Sequence, residues 1–280
     1  MRAAIIYDFD GTLARGSLQE RSFIPQIGMT RESFWTEVKE RTRNEDADEI
    51  LVYMHLMIEK ARNSGLAITR EQLRKHGEDA ELFDGLRDRS WFHRMNQYAA
   101  QAGLQLDHYI LSSGIHEMIV GCPIVDSFKW VYASKYIYEG DQACWPGVAI
   151  NYTTKTQFLF RINKGIENTW NHADLNAFMP EQQRPVPFSR MIFIGDGDTD
   201  IPTMKMLTHQ GGHSIAVYDP KREHSDLKKI HALISDGRVD FIAAADYTEK
   251  SQLDIIIKGI LGRISRHIQS QRPPKKISVD

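Results

Sequence analysis

The chain has 280 residues, 41% hydrophobic and 26% charged, with a net charge of −2. That length and composition suit a soluble globular protein, built as one large domain or as a core with an inserted second one. The near-neutral balance offers no global field for nucleic acid or an anionic membrane, and neither is expected as a partner. Two cysteines, Cys122 and Cys144, are too few for a disulfide framework and lack metal-ligand spacing, so they are expected to be packing residues.

Met1-Arg2 leads directly into the apolar strand Ala3-Ala4-Ile5-Ile6-Tyr7, too short for a signal-peptide core, and no apolar run approaches a membrane span. A cytoplasmic protein is expected. The strand runs out into Asp8-Phe9-Asp10-Gly11-Thr12, and side chains two apart on a strand share a face. Asp8 and Asp10 should therefore emerge together where α/β sheets bind their ligands, fit to hold a hard cation, to divide nucleophile and proton-donor roles, or to cap the next element.

Residues 15 to 103 carry helical signals. Thr30 precedes Phe34, Trp35 and Val38 at helical spacing. Asp46 and Glu49 start a helix with Ile50, Met54, Met57, Ile58 and Ala61 on one face, stopped at Ser64-Gly65. Thr69 with Gln72 opens a helix ended by Gly77, and another runs from Ser90 to a stop at Gly103, with Phe92, Met95, Ala99 and Ala102 inward. The 14 basic and 15 acidic residues of this stretch nearly cancel, which argues against a nucleic-acid face.

Strand and helix then alternate. Leu106 to Leu111 is a strand ending in Ser112-Ser113-Gly114, with a helix from Ile115. Phe128 to Tyr138 and a return strand near Val148-Ala149-Ile150 form a hairpin about Glu139-Gly140-Asp141. Thr154 to Asn163 is helical, stopped by Gly165. Met191 to Ile194 is a buried parallel strand before Gly195-Asp196-Gly197-Asp198-Thr199-Asp200, followed by a helix from Ile201 to Thr208. Ser214 to Tyr218 and Phe241 to Ala243 are further strands. A last helix has Ser251 and Asp254 as its start signal and carries Ile255, Ile256, Ile260 and Leu261. The polar, proline-bearing segment from Arg263 is expected to be a flexible basic tail. The alternation implies an α/β fold, a parallel sheet with helices on both faces.

Three strand ends thus bring Asp8 and Asp10, Ser112 to Gly114, and Asp196 with Asp198 and Asp200 to one edge. Such acids repel unless a divalent cation neutralises them, and oxygen-only ligands favour magnesium over zinc. Two lysines compete for a place beside them. Lys164 sits at a helix end, where the dipole already favours a cation, whereas Lys155 sits at a helix start, where only a nearby anion would favour it. Asp198 is expected to be a turn or cap residue. Gly195-Asp196-Gly197 is also similar to a dinucleotide-binding loop, but Asp200 replaces the third glycine and the acids would repel a pyrophosphate.

Asp8-Phe9-Asp10-Gly11-Thr12, the strand-end Ile110-Leu111-Ser112, an intervening lysine and the Gly195 to Asp200 segment together resemble the motifs of the haloacid dehalogenase (HAD) superfamily of phosphohydrolases. The arrangement is most similar to its phosphoserine-phosphatase-like branch. The resemblance implies a HAD-like Rossmannoid core, residues 1–14 and 104–262, an inserted helical cap of the C1 type, 15–103, and the tail 263–280. It implies a Mg2+-dependent phosphatase that hydrolyses a small phosphomonoester, a phosphorylated metabolite, through an aspartyl-phosphate. Asp8 would be the nucleophile and Asp10 the proton shuttle. Ser112, Ser113, Gly114 and Lys155 would hold the phosphate, and Asp8, Asp10, Asp196 and Asp200 the metal, Asp10 through its main-chain carbonyl. A phosphotransferase or phosphomutase would share that intermediate, and a non-catalytic binding module would require decayed chemistry that these residues do not show. The resemblance also argues against a true dehalogenase, since that class uses no magnesium and lacks the second acid present here as Asp10. Arg21, Arg43, Phe23, Trp91 and His93 are possible substrate readers in the cap, each equally credible as a surface or packing residue.

Overall fold

The computed structural model describes residues 1–197, 199–221 and 233–270; Asp198 and the segment 271–280 of the expected tail lie outside the described residues. Seven strands form one sheet: β1 (Arg2–Tyr7), β2 (Gln105–Ile115), β3 (Trp130–Glu139), β4 (Gln142–Val148), β5 (Met191–Gly195), β6 (His213–Tyr218) and β7 (Phe241–Ala244). Their order is β4-β3-β2-β1-β5-β6-β7, parallel throughout except for the β3–β4 hairpin. Alternation along β1 feeds two cores: Ala3, Ile5 and Tyr7 enter one buried cluster and Ala4 and Ile6 the other, as a strand covered on both faces requires.

Register places the chemistry. Tyr7 lies opposite both Ile110 of β2 and Ile194 of β5, so the residues that follow, Asp8, Leu111-Ser112 and Gly195-Asp196, leave the sheet at one level. The chain between β1 and β2 forms the helices α1 (Ile24–Gln26), α2 (Arg31–Asn44), α3 (Glu49–Asn63), α4 (Arg70–Glu78) and α5 (Ser90–Gln101). Capping boxes start α2, from Thr30 to Ser33, and α4, from Thr69 to Gln72. The two chain segments that enter and leave α1 to α4 are stitched together: Arg15 N–H donates to Glu81, Phe83 N–H donates to Leu13, and Ala14 pairs with Leu82.

Several boundaries differ from expectation. Asp48, not Asp46, caps α3, its Oδ1 accepting from Ile50 and Leu51. Gly77 lies inside α4, where an added Cβ would meet the Met118 carbonyl at 1.8 Å, so it serves close packing and not termination. The helix α5, expected within the cap, packs instead on β2 and on the last helix; Trp91 donates to Tyr7 Oη at 2.9 Å and Arg94 meets Asp254 at 3.4 Å. Residues 90–101 therefore belong to the layer that covers the sheet.

β2 continues through Ser112-Ser113-Gly114 to Ile115, and the helix expected there is the single turn α6 (His116–Ile119). Beyond the hairpin, whose return strand starts at Gln142, come α7 (Lys155–Lys164), α8 (His172–Asn176), α9 (Ile201–His209) and α10 (Gln252–Ser270). α10 runs seven residues past Arg263, where the tail was expected to begin, because Ile264 and Ile268 extend its buried stripe. Ile255 faces solvent, and Leu253, Ile257, Ile260 and Leu261 fill the core. Cys122 is buried and Cys144 half-buried, both as free thiols. No helix among the described residues is long and apolar enough to cross a membrane.

Candidate active site

At the carboxyl edge, β1 delivers Asp8, whose amide donates to the Ile194 carbonyl at 2.8 Å and so continues the β1–β5 ladder by one step. Gly11 then turns the chain back with φ +76°, a left-handed conformation that costs glycine nothing. A Cβ there would lie 2.2 Å from Asp196 Oδ2, so the turn brings the backbone against the second acidic segment.

The α7 N-terminus supplies Lys155, fully buried, with its ammonium 2.9 Å from Asp8 Oδ1 and 2.6 Å from Asp200 Oδ1. Burial works against that charge, but Asp200 and Asp8 outweigh it and hold the pKa above the ordinary lysine value. Asp200 is itself fully buried; burial pushes its carboxyl up while the lysine pulls it down. Of the competing lysines, then, Lys155 reaches the acids. Lys164 instead donates to the carbonyls of Leu175 and Ala177 and pins α8.

Carboxylate oxygens of Asp8, Asp196 and Asp200 all lie within 4.8 Å of one another. Asp200 Oδ2 is buried with no hydrogen-bond partner among the described residues. An oxygen-only set of this size, with an orphaned acceptor, fits a hard divalent cation such as Mg2+. Asp10 is not one of the residues in that group.

Asp10 occupies a different environment. Its pKa is pushed up to about 8, first by burial and then by Asp8; the Leu18 amide opposes them, and Glu20 adds a smaller push against a still smaller pull from Lys155. Its Oδ1 has no hydrogen-bond partner among the described residues. A carboxyl whose pKa is raised by its surroundings suits a general acid.

Ser112 is buried, and its Oγ accepts the Gly114 amide at 3.0 Å, which leaves the hydroxyl hydrogen free to donate. The Gly114 amide is thereby engaged. The Ser113 carbonyl accepts from Tyr53 of α3 and Ser134 of β3, while its own Oγ is buried without a partner among the described residues.

The candidate readers scatter. Trp91 lies in the core on the sheet's covered face, Phe23 is buried against His76, Arg21 pairs with Glu81, and Arg43 and His93 are exposed. The residues that do approach Asp10 are Glu20 and Tyr53. Their sequence neighbourhoods carried no motif, and only the folding of the helical segment brings them there.

A mostly parallel sheet with acids and a lysine converging on its carboxyl edge defines a Rossmannoid α/β hydrolase. The family model for haloacid dehalogenase-like hydrolases matches residues 5–205, and the chain belongs to that family. It is 27% identical over 285 residues to an uncharacterized protein of Borreliella burgdorferi strain B31, covering 89% of this chain and 93% of that one. Among solved structures it resembles a HAD family hydrolase from Salmonella enterica serovar Typhi, with TM-score 0.57, 14% identity, and 93% and 72% of the two chains covered. A substrate-bound phosphoserine phosphatase superposes with TM-score 0.54 at 15% identity, covering 92% and 98%.

Proposed function

We propose that the protein is a cytoplasmic, Mg2+-dependent phosphatase that hydrolyses a small phosphomonoester through an aspartyl-phosphate. The observation that carries this reading is the pairing of Asp8 with Lys155 inside a three-acid group, next to an Asp10 that burial keeps protonated. One Asp8 oxygen attacks phosphorus while the bond to the leaving alcohol breaks, and Asp10 passes its proton to the departing oxygen. Water then attacks the aspartyl-phosphate and gives its proton to Asp10, which restores both groups. Lys155 holds the nucleophile and a phosphate oxygen, and Ser112 donates its free hydroxyl hydrogen to another. Ser113 and Gly114 shape the loop that presents that hydroxyl.

Asp8, Asp196 and Asp200 would hold Mg2+, which when bound supplies positive charge against the phosphate. The helices α1 to α4 serve as the cap that excludes water and contacts the leaving group. Phosphate release from p-nitrophenyl phosphate tests the reading: turnover should require Mg2+ and stop on chelation. Undiminished turnover with chelator present would overturn it.

A further inference from the structure

The amino edge of the sheet, opposite the acids, carries a second charged cleft. Strands β5 and β6 run parallel with Ile192 opposite His213, so Arg190 and His213 stand together where the two strands begin. Asp196 follows the far end of β5, about 20 Å along the strand from Arg190. The turn before β6 is pressed against the turn before β5, since a Cβ on Gly212 would lie 2.6 Å from the Phe188 carbonyl oxygen. α10 closes the third side with Arg263 and His267, one helical turn apart and therefore on one face. The cleft so formed has a volume of about 640 Å³, and Pro187, Ile264 and Ile268 supply its apolar wall.

Its charge is one-sided. Among the described residues that line it, Arg190, His213, Arg263 and His267 face a single acid, Glu181, which lies exposed on the short turn Glu181–Gln183. Neither Arg190 nor Arg263 has an ion pair or a side-chain hydrogen bond among the described residues. Burial holds the half-buried Arg190 guanidinium below the ordinary arginine value, with no anion to offset it. Burial also lowers the His213 imidazole; Asp240 opposes this and Arg263 adds to it, so His213 meets the cleft as a neutral N–H donor. Asp240 itself is taken up by the Ser214 amide at 2.8 Å and the Thr208 hydroxyl at 3.1 Å. The helix dipole does not account for this set. It favours a cation in the last turn of α10, which covers His267, but Arg263 lies two turns before the end at Ser270, and Arg190 and His213 lie on no α-helix.

We infer that this cleft binds a small organic phosphate, with the phosphoryl group between Arg190 and Arg263 and the apolar body against Pro187, Ile264 and Ile268. Guanidinium forks meet phosphate oxygens in pairs, and the His213 N–H adds a further donor. The cleft has the size of a small-molecule site and is too large for a bare oxyanion to fill. An anion held there would relieve the repulsion among the cations. The inference does not depend on the activity proposed for the opposite edge.

Calorimetry with phenylphosphonate, which has no ester to hydrolyse, tests the site on the full chain. Chelator is kept present, so that at the other edge three acids face one lysine and disfavour the probe. Saturable binding with Kd below about 1 mM is expected, and inorganic phosphate should bind about 10-fold more weakly for want of apolar contact. Arg190→Gln and Arg263→Gln should each weaken phenylphosphonate binding by about 10-fold or more. Arg266→Gln removes the same charge from the same helix outside the cleft and should leave binding unchanged. Arg263 is exposed, so its variant keeps the fold and carries the test if Arg190→Gln melts early. No saturable binding below about 10 mM, or binding indifferent to both substitutions, would overturn the site. Equal affinity for inorganic phosphate would overturn the organic-phosphate assignment.

Discussion

Tyr7 and Asp8 are neighbours on one strand, yet they face two different kinds of polar interior. On the Tyr7 side, Trp91 N–H donates to Tyr7 Oη, Tyr7 O–H donates to His108 Nδ1, and His108 Nε2–H donates to Asn96 Oδ1. Every member of that chain has its partner, and the rings of Tyr7, Phe92, His108 and Phe128 pack edge-on or stacked around it. On the Asp8 side, acids crowd one lysine, and oxygens of Asp10, Ser113 and Asp200 remain without partners among the described residues. A satisfied buried network fixes a strand in place, whereas an unsatisfied one is kept for something that arrives later. Perturbing each side should therefore produce opposite signatures: loss of activity on one, loss of stability on the other.

The largest effect is expected from Asp8→Asn, which should lower steady-state phosphate release by about 10³-fold or more while the protein melts normally. A residual rate near that of the parent would erase the distinction between the two sides. Lys155→Met should do harm of both kinds. It strands Asp8 and Asp200, so chemical denaturation without metal should show a loss of about 3–5 kcal/mol, and added Mg2+ should recover part of it.

Acid should act through the other side. Burial pushes His108 down to about 3, well below the value of an unfolded histidine. The unfolded chain therefore binds a proton that the folded chain refuses, so this contribution is complete above about pH 6.5 and is lost as pH falls from there toward 3. Denaturation midpoints measured between pH 7 and 4 should decline, and less steeply in His108→Phe. Tyr7→Phe, which unpairs Trp91 and His108, should cost about 1–3 kcal/mol with kcat little changed. Smallest is Thr69→Ala, which removes the α4 capping box for about 1 kcal/mol and should leave activity alone.

What was legible in the chain follows the same division. Asp8, Lys155, Asp196 and Asp200 were visible because each stands at a fixed offset from a strand end or helix start, and strand register then brings them to one level. Lys155 could be separated from Lys164 by the helix dipole, a local effect. Glu20 and Tyr53 were not visible, since they reach Asp10 only through the folding of the segment between β1 and α4 over the edge. α5 was misplaced for a related reason. Its apolar stripe showed that it packs on something, but periodicity does not say whether the partner is a cap or a sheet. The α3 start slipped by two residues because Asp46 and Asp48 are both competent caps, and Asp46 instead takes a left-handed φ of 47° just before it. Residues 263–270 of the expected tail were misjudged from composition, since Arg263 and Arg266 face solvent on a helix whose other side is apolar.

The central claim is that Asp8 carries the phosphoryl group. Acid-quenched protein taken during turnover of a phosphate ester, digested and examined by mass spectrometry, should show a phosphate adduct on the peptide that contains Asp8, and Asp8→Asn should show none. Sustained phosphate release with no adduct at Asp8, or an adduct that survives the substitution, would contradict it.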